Sequence, residues 1–161
     1  LAAQPDIPAD QEALGHVLVA LGDPDALREA ESRFRRAIDL GATGAAPWTQ
    51  LGVLADRAGR KAEARARFED ALRREPEDPE ALFDHAKVCL QLNDVAAAEA
   101  SLARLETRHP EYVPAPFLRA HVRLARGDRA GARAALLQFL ERKGGEPRMV
   151  ETARRMLAGL D

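Results

Sequence analysis

Residues 45–78 read AAPWTQLGVLADRAGRKAEARARFEDALRREPED. Trp48, Leu51, Gly52 and Ala55 stand at i, i+3, i+4 and i+7, so residues 46–58 predict a helix with one apolar face. Gly59 interrupts it and suits a tight turn, because glycine enters the left-handed region without a Cβ penalty. Ala64, Phe68, Ala71 and Leu72 rebuild an apolar face on a second helix. Pro76 closes the unit, since proline lacks the donor a continuing helix needs and restrains the residue before it. Gly52 and Ala64 carry little bulk, which lets the two helices approach closely.

The same order repeats to either side. Ala30, Ala64, Ala98 and Ala132 lie 34 residues apart, each followed four positions later by Phe34, Phe68, Leu102 or Leu136. Ala37, Ala71, Leu105 and Phe139 keep the same spacing. A fixed period of this length, with small and large apolar residues in constant order, marks an array of helix pairs. Residues 79–112 form the next unit, with Leu82, Ala86, Ala98, Leu102, Leu105 and Pro110; Asn93-Asp94 replaces the turn glycine with another turn former. Residues 113–146 form a divergent one, with Ala120, Gly127, Ala132, Leu136 and Phe139. There Pro116 stands where Trp48 does, and Arg119 and Arg123 fall at core positions, so its first helix is expected to start late or to be rotated.

Toward the N-terminus, residues 8–44 carry Leu14, Gly15, Leu18 and Gly22, then Ala30, Phe34 and Ala37. Three extra residues separate Gly22 from Ala30, relative to Gly59 and Ala64. They predict either a second helix longer by about a turn, opened by Asp23-Pro24-Asp25, or a longer loop. Residues 1–7 read as an extended tail. At the other end, residues 147–161 predict an amphipathic helix through Val150, Ala153, Leu157 and Leu160. Its Arg148, Glu151, Arg154 and Arg155 suit a cap that covers the last apolar face; the alternative is the first helix of a fifth repeat.

The landmarks Trp48, Leu51, Gly52, Gly59, Ala64, Phe68, Ala71 and Pro76 resemble the tetratricopeptide repeat, with Ala55 in place of the usual tyrosine. The resemblance implies an all-α, right-handed solenoid of antiparallel helix pairs, about four repeats long, ending in a capping helix. It also implies a concave groove lined by the first helices at fixed repeat positions. Carried onto this chain, those positions are Glu12 and His16; Thr49, Val53, Asp56 and Arg57; Phe83, Lys87, Leu90 and Gln91; and Phe117, His121 and Leu124. Phe83 and Phe117 share one repeat position, and exposed rings in a concavity suggest a binding platform. The alternative is that both pack between adjacent helices. The carboxylate clamp of the chaperone-binding subclass is not expected, because of its positions Glu12, His16, Thr49, Val53, Phe83 and Lys87 only Lys87 suits it.

Function is expected to be non-catalytic: a protein–protein interaction module holding a peptide or helix of a partner protein. A periplasmic assembly factor or a homo-oligomeric scaffold are the alternatives. The sequence carries no phosphate-cradling glycine loop, no H-E-x-x-H and no G-x-S-x-G. His85 and Cys89 sit at i, i+4 and form a candidate metal pair, yet the repeat frame places both on the packing face, which is the favoured reading. One cysteine excludes an internal disulfide, and no cofactor or metal is expected. Arg119, Arg123, Arg126, Arg129 and Arg133 read as a solvated face interleaved with acids rather than an anion stripe. A net charge of -2, with both signs mixed along the chain, argues against nucleic acid. No apolar run is long enough for a membrane span. Arginine far outnumbers lysine, as in GC-rich bacterial genomes. A cytoplasmic location is expected, with export open because Leu1-Ala2-Ala3 is also compatible with a signal-cleavage remnant.

Overall fold

The computed structural model describes residues 6–160. Among them are nine helices and no strand: α1 (Pro8–Leu21), α2 (Pro24–Asp39), α3 (Ala46–Arg57), α4 (Lys61–Arg74), α5 (Pro79–Gln91), α6 (Val95–Arg108), α7 (Ala115–Ala125), α8 (Arg129–Glu141) and α9 (Pro147–Ala158). The all-α expectation holds for the described residues. They divide into two compact units, the first ending at Ala81 and the second starting at Leu82. The N-terminal tail expected over residues 1–7 lies outside the described residues as far as residue 5. Asp6 is tied down, accepting hydrogen bonds from Gln11 Nε2 at 2.6 Å and Arg36 Nε at 2.8 Å. No helix among the described residues is long and apolar enough to cross a membrane.

Each helix pair turns on one left-handed residue. Gly22, Gly59, Asn93 and Gly127 have φ of 75°, 77°, 61° and 77°. Asparagine reaches this region because its short polar side chain bonds locally, so Asn93 does the work of the glycine it replaces. At three of the four turns the next residue is an aspartate that caps the second helix. Asp23 accepts from Ala26 N at 2.9 Å, Asp94 from Ala97 N at 3.1 Å and Asp128 from Gly131 N at 2.7 Å. Each cap satisfies an amide that the helix itself leaves without a partner. The three additional residues of the first pair enter α2, which has 16 residues against 14 in α4.

The pairs are antiparallel because their mid-helix contacts straddle these turns. A Cβ placed on Gly15 would lie 2.7 Å from the Phe34 ring, and one on Gly52 would lie 2.5 Å from the Phe68 ring. Both phenylalanines are wholly buried, as are Ala30, Ala64, Ala98 and Ala132. In the second unit the same register holds Ala86 with Leu102 and Ala120 with Leu136, and all four are buried. A larger first-helix residue thus accompanies a smaller second-helix residue, conserving volume at a close-packed contact. In the first unit Trp48 packs among Ala45, Ala71 and Ala81, with the Arg74 guanidinium 3.3 Å from its ring centroid.

Successive pairs are also clasped by charge within each unit. Arg60 reaches Glu31 with Nη2–Oε2 at 2.9 Å, and Arg126 reaches Glu99 with Nη2–Oε2 at 2.7 Å. Glu31 and Glu99 occupy one repeat position, 68 residues apart. The Arg126 hydrogen bond holds the Glu99 carboxyl below its usual range.

The divergent α7 starts late by one or two residues relative to the openings of α3 at Ala46 and α5 at Pro79, and it is not rotated, since Ala120 is buried as Gly52 and Ala86 are. It opens at Ala115, with Pro116 buried in its first turn, where no intrahelical donor is needed. The arginines are accommodated at its edges instead. Arg119 donates from Nε to Glu106 at 2.6 Å and from Nη1 to Gln138 at 2.9 Å, bridging α6 and α8. Arg123 is exposed and pairs with Asp128 at 3.3 Å. With Arg126 on Glu99 and Arg129 bonded to Gly159 O at 3.2 Å, these side chains form an ion-paired surface.

α9 lies on α8. Ala153 is buried, and Val150, Met156, Leu157 and Leu160 pack against the core around Leu136 and Phe139. Arg148, Glu151, Arg154 and Arg155 face outward. Arg154 occupies the register of Gly52, Ala86 and Ala120, where a following second helix would need a small residue.

Candidate functional site

The second unit carries an open cavity of about 650 Å³. Helix periodicity builds two of its walls. Phe83, Lys87, Leu90 and Gln91 share one face of α5, while Phe117, His121 and Ala125 share one face of α7, with Leu118 beside them. The positions correspond at 34 residues: Phe83 to Phe117, Lys87 to His121 and Gln91 to Ala125. Glu146 and Met149, at the start of α9, complete the lining.

Both rings are anchored and half-exposed. The Phe83 centroid lies 5.6 Å from that of Tyr112. Phe117 lies 5.3 Å from the buried Phe139 and 4.9 Å from His121, which it meets edge to face. Each phenylalanine therefore packs on a neighbouring ring and still presents surface to the cavity. This immobilises the ring before any ligand arrives, so little side-chain entropy is left to lose on contact.

The polar groups sit around this apolar floor. Lys87 is bonded to Asp84 at 2.6 Å, and Glu146 stands exposed at the margin. Burial pushes the His121 imidazole below its ordinary value of 6.5, so the ring is neutral at pH 7. The arrangement favours an apolar side chain with few charges to satisfy.

Six of the expected groove residues thus meet in one place: Phe83, Lys87, Leu90, Gln91, Phe117 and His121. Others do not join them. Leu124 turns to the core cluster of Leu136 and Phe139. Thr49 is buried at 5% exposure and its hydroxyl bonds back to Ala45 O at 3.3 Å, so its side chain has nothing to offer a partner. Asp56 is engaged by the Lys61 ammonium across the turn. Arg57 lines a smaller hollow of about 310 Å³ in the first unit, with Leu27, Glu31, Leu54 and Arg60. His16 is exposed and meets the Phe34 ring edge at 5.3 Å, while Glu12 and Val53 are half-buried. Leu118, Ala125, Glu146 and Met149 were outside the sequence expectation.

His85 and Cys89 serve packing. His85 Nδ1 lies 2.8 Å from Ser101 Oγ and Cys89 Sγ is 3.6 Å from His85 Nε2, all three residues being buried. Among the described residues no three His, Cys, Asp or Glu side chains gather as a metal site.

The tetratricopeptide repeat family profile matches residues 49–113. No curated protein sequence matches the chain. Among solved structures, a MamA chain from Desulfovibrio magneticus RS-1 is 15% identical at a TM-score of 0.76, covering 98% of this chain and 95% of that one. TTC0263, a thermophilic TPR protein of Thermus thermophilus, is 21% identical at a TM-score of 0.76, covering 95% and 80%. The first TPR of Spaghetti (RPAP3), bound to the HSP90 peptide SRMEEVD, is 19% identical at a TM-score of 0.62, covering 72% and 92%. At these identities the likeness shows the fold, the helix-pair fold of tetratricopeptide repeats.

Proposed function

We propose that this chain, which carries tetratricopeptide repeats, holds a partner protein by seating an apolar side chain of it in the cavity of the second unit, with no chemistry of its own. The observation that supports this most is the convergence of two register-related rings, Phe83 and Phe117, on one apolar floor of about 650 Å³. That volume lies in the range of pockets that take a bulky side chain or a short helical turn. The fold is known to hold peptides, as in the Spaghetti repeat with its HSP90 peptide. The chemistry here differs: an acidic peptide such as SRMEEVD needs several cationic or amide donors, and Lys87 is the one cation lining this cavity.

The test is a selection from a displayed peptide library on the immobilised chain. Selected peptides should carry a large apolar or aromatic residue. Phe83→Ala with Phe117→Ala should abolish capture while circular dichroism keeps most of the helical signal. Capture of acidic, aromatic-free peptides that ignores the double substitution would overturn the reading.

A further inference from the structure

The cavity of the second unit is apolar at its floor and unevenly charged at its edge. Three of its lining side chains can carry charge: Lys87, His121 and Glu146. Two of them have little to offer an occupant. The Lys87 ammonium already has a carboxylate partner, with Nζ 2.6 Å from Asp84 Oδ1. Burial keeps the His121 imidazole neutral at pH 7. Glu146 is different. It is exposed, it stands just before α9, and its side chain caps none of the first amides of that helix. Among the described residues its carboxylate enters no ion pair, although Lys143 and Arg148 are close to it in sequence. Neither of those two lines the cavity. The lining thus presents one uncompensated charge, and it is negative.

That sign constrains what fits. An occupant that is apolar throughout takes water from the Glu146 carboxylate and gives nothing back, which costs free energy. A lysine or arginine next to the apolar anchor avoids this cost. Its stem is itself apolar and can lie along the lining of Phe117 and Met149 while its head reaches the carboxylate. The rings favour the same choice. Phe83 and Phe117 are half-exposed and border the cavity, and the π face of a ring attracts a cation. An aspartate or glutamate in that place would meet a like charge instead.

We propose, on the basis of the apolar seat described above, that the partner segment is basic: a lysine or arginine lies within one helical turn of its apolar anchor and pairs with Glu146. A charge pair at an exposed margin contributes to selectivity and salt dependence more than to affinity. The test uses the full chain and a displayed library of random peptides. On the wild-type chain, the peptides recovered should carry Lys or Arg beside an apolar residue. On Glu146→Lys the accompanying charge should change to Asp or Glu, with an unchanged circular dichroism spectrum, since Glu146 is exposed and caps nothing. For one synthesised basic peptide at low salt, fluorescence anisotropy should show Glu146→Gln weakening binding about threefold and Glu146→Lys about tenfold. Replacing the peptide's base by Glu should restore binding to Glu146→Lys. Recovered peptides whose charge is the same on both chains, or a basic peptide that binds both variants as tightly as the wild type, would overturn the proposal. If that indifferent peptide still loses affinity for Phe83→Ala, the charge assignment fails and the apolar seat stands; if it ignores Phe83→Ala as well, both fail.

Discussion

The two units place phenylalanine differently, although the second also buries one, Phe139, on a second helix. In the first, Phe34 and Phe68 are wholly buried on second helices, each facing a glycine on the first helix. In the second, those positions hold Leu102 and Leu136 opposite Ala86 and Ala120. Phe83 and Phe117 instead lie on first helices, half-exposed beside a cavity. The outer ends differ as well: α1 shows leucine and valine to the outside, and α9 shows arginine and glutamate. One repeat frame thus fixes where small and large core residues go and leaves other first-helix positions outside the core, beside the cavity. A ring's position in the frame, rather than its chemistry, decides whether it is wholly buried or borders the cavity.

The largest expected effect comes from deleting residues 147–160. This uncovers the core around Leu136 and Phe139 that Ala153, Leu157 and Leu160 now cover. Size-exclusion chromatography should show aggregation, as expected for arrays that lose a polar terminus. A soluble monomer with the parent melting temperature would mean the two ends do not differ as described.

Next in size is the exchange of core pairings between units. A Cβ on Gly52 would meet the Phe68 ring at 2.5 Å, so Gly52→Ala should destabilise by about 1–3 kcal/mol through overpacking. Combined with Phe68→Leu it recreates the alanine–leucine pairing of the second unit. Urea denaturation of the two single variants and the double variant should give a favourable coupling of about 0.5–3 kcal/mol. Additive losses would show that the two pairings are not equivalent solutions of one contact.

These contacts were legible in the sequence because the 34-residue spacing ties each core position to its equivalents, and Ala30, Ala64, Ala98 and Ala132 are all fully buried. The cavity was partly legible for the same reason, since Phe83, Lys87, Phe117 and His121 are pairs one period apart. Glu146 and Met149 were not, because they enter from α9 and the loop before it, outside the frame of the first-helix positions. Thr49 misled because a threonine hydroxyl can satisfy itself on the preceding helical turn, leaving the residue free to be buried. Arg119 misled in the opposite direction. A long side chain at a core position can reach out to Glu106 and Gln138 while its helix stays in register.

The smallest effect is a pH dependence confined to the second unit. Burial lowers the folded-state His121 pKa below the unfolded 6.5. Its contribution to stability is therefore complete above pH 6.5 and is lost as pH falls from there through the folded value. An occupant that covers the ring further opposes protonation, so peptide affinity should decline over the same fall. His121→Gln should flatten both profiles; an unchanged slope in that variant would assign the effect to another group.

The central claim, that the cavity of the second unit is where a partner sits, can be read from the chain's two methionines. Both pack against the core around Leu136 and Phe139, but Met149 also lines the cavity and Met156 does not. With methyl-labelled methionine, titration of a selected apolar peptide should shift the Met149 resonance in nuclear magnetic resonance spectra and leave Met156 in place. Phe83→Ala should weaken that titration by about 2 kcal/mol, roughly thirtyfold. A peptide that binds the wild-type chain without moving Met149, or that binds the Phe83→Ala variant equally well, would contradict the account.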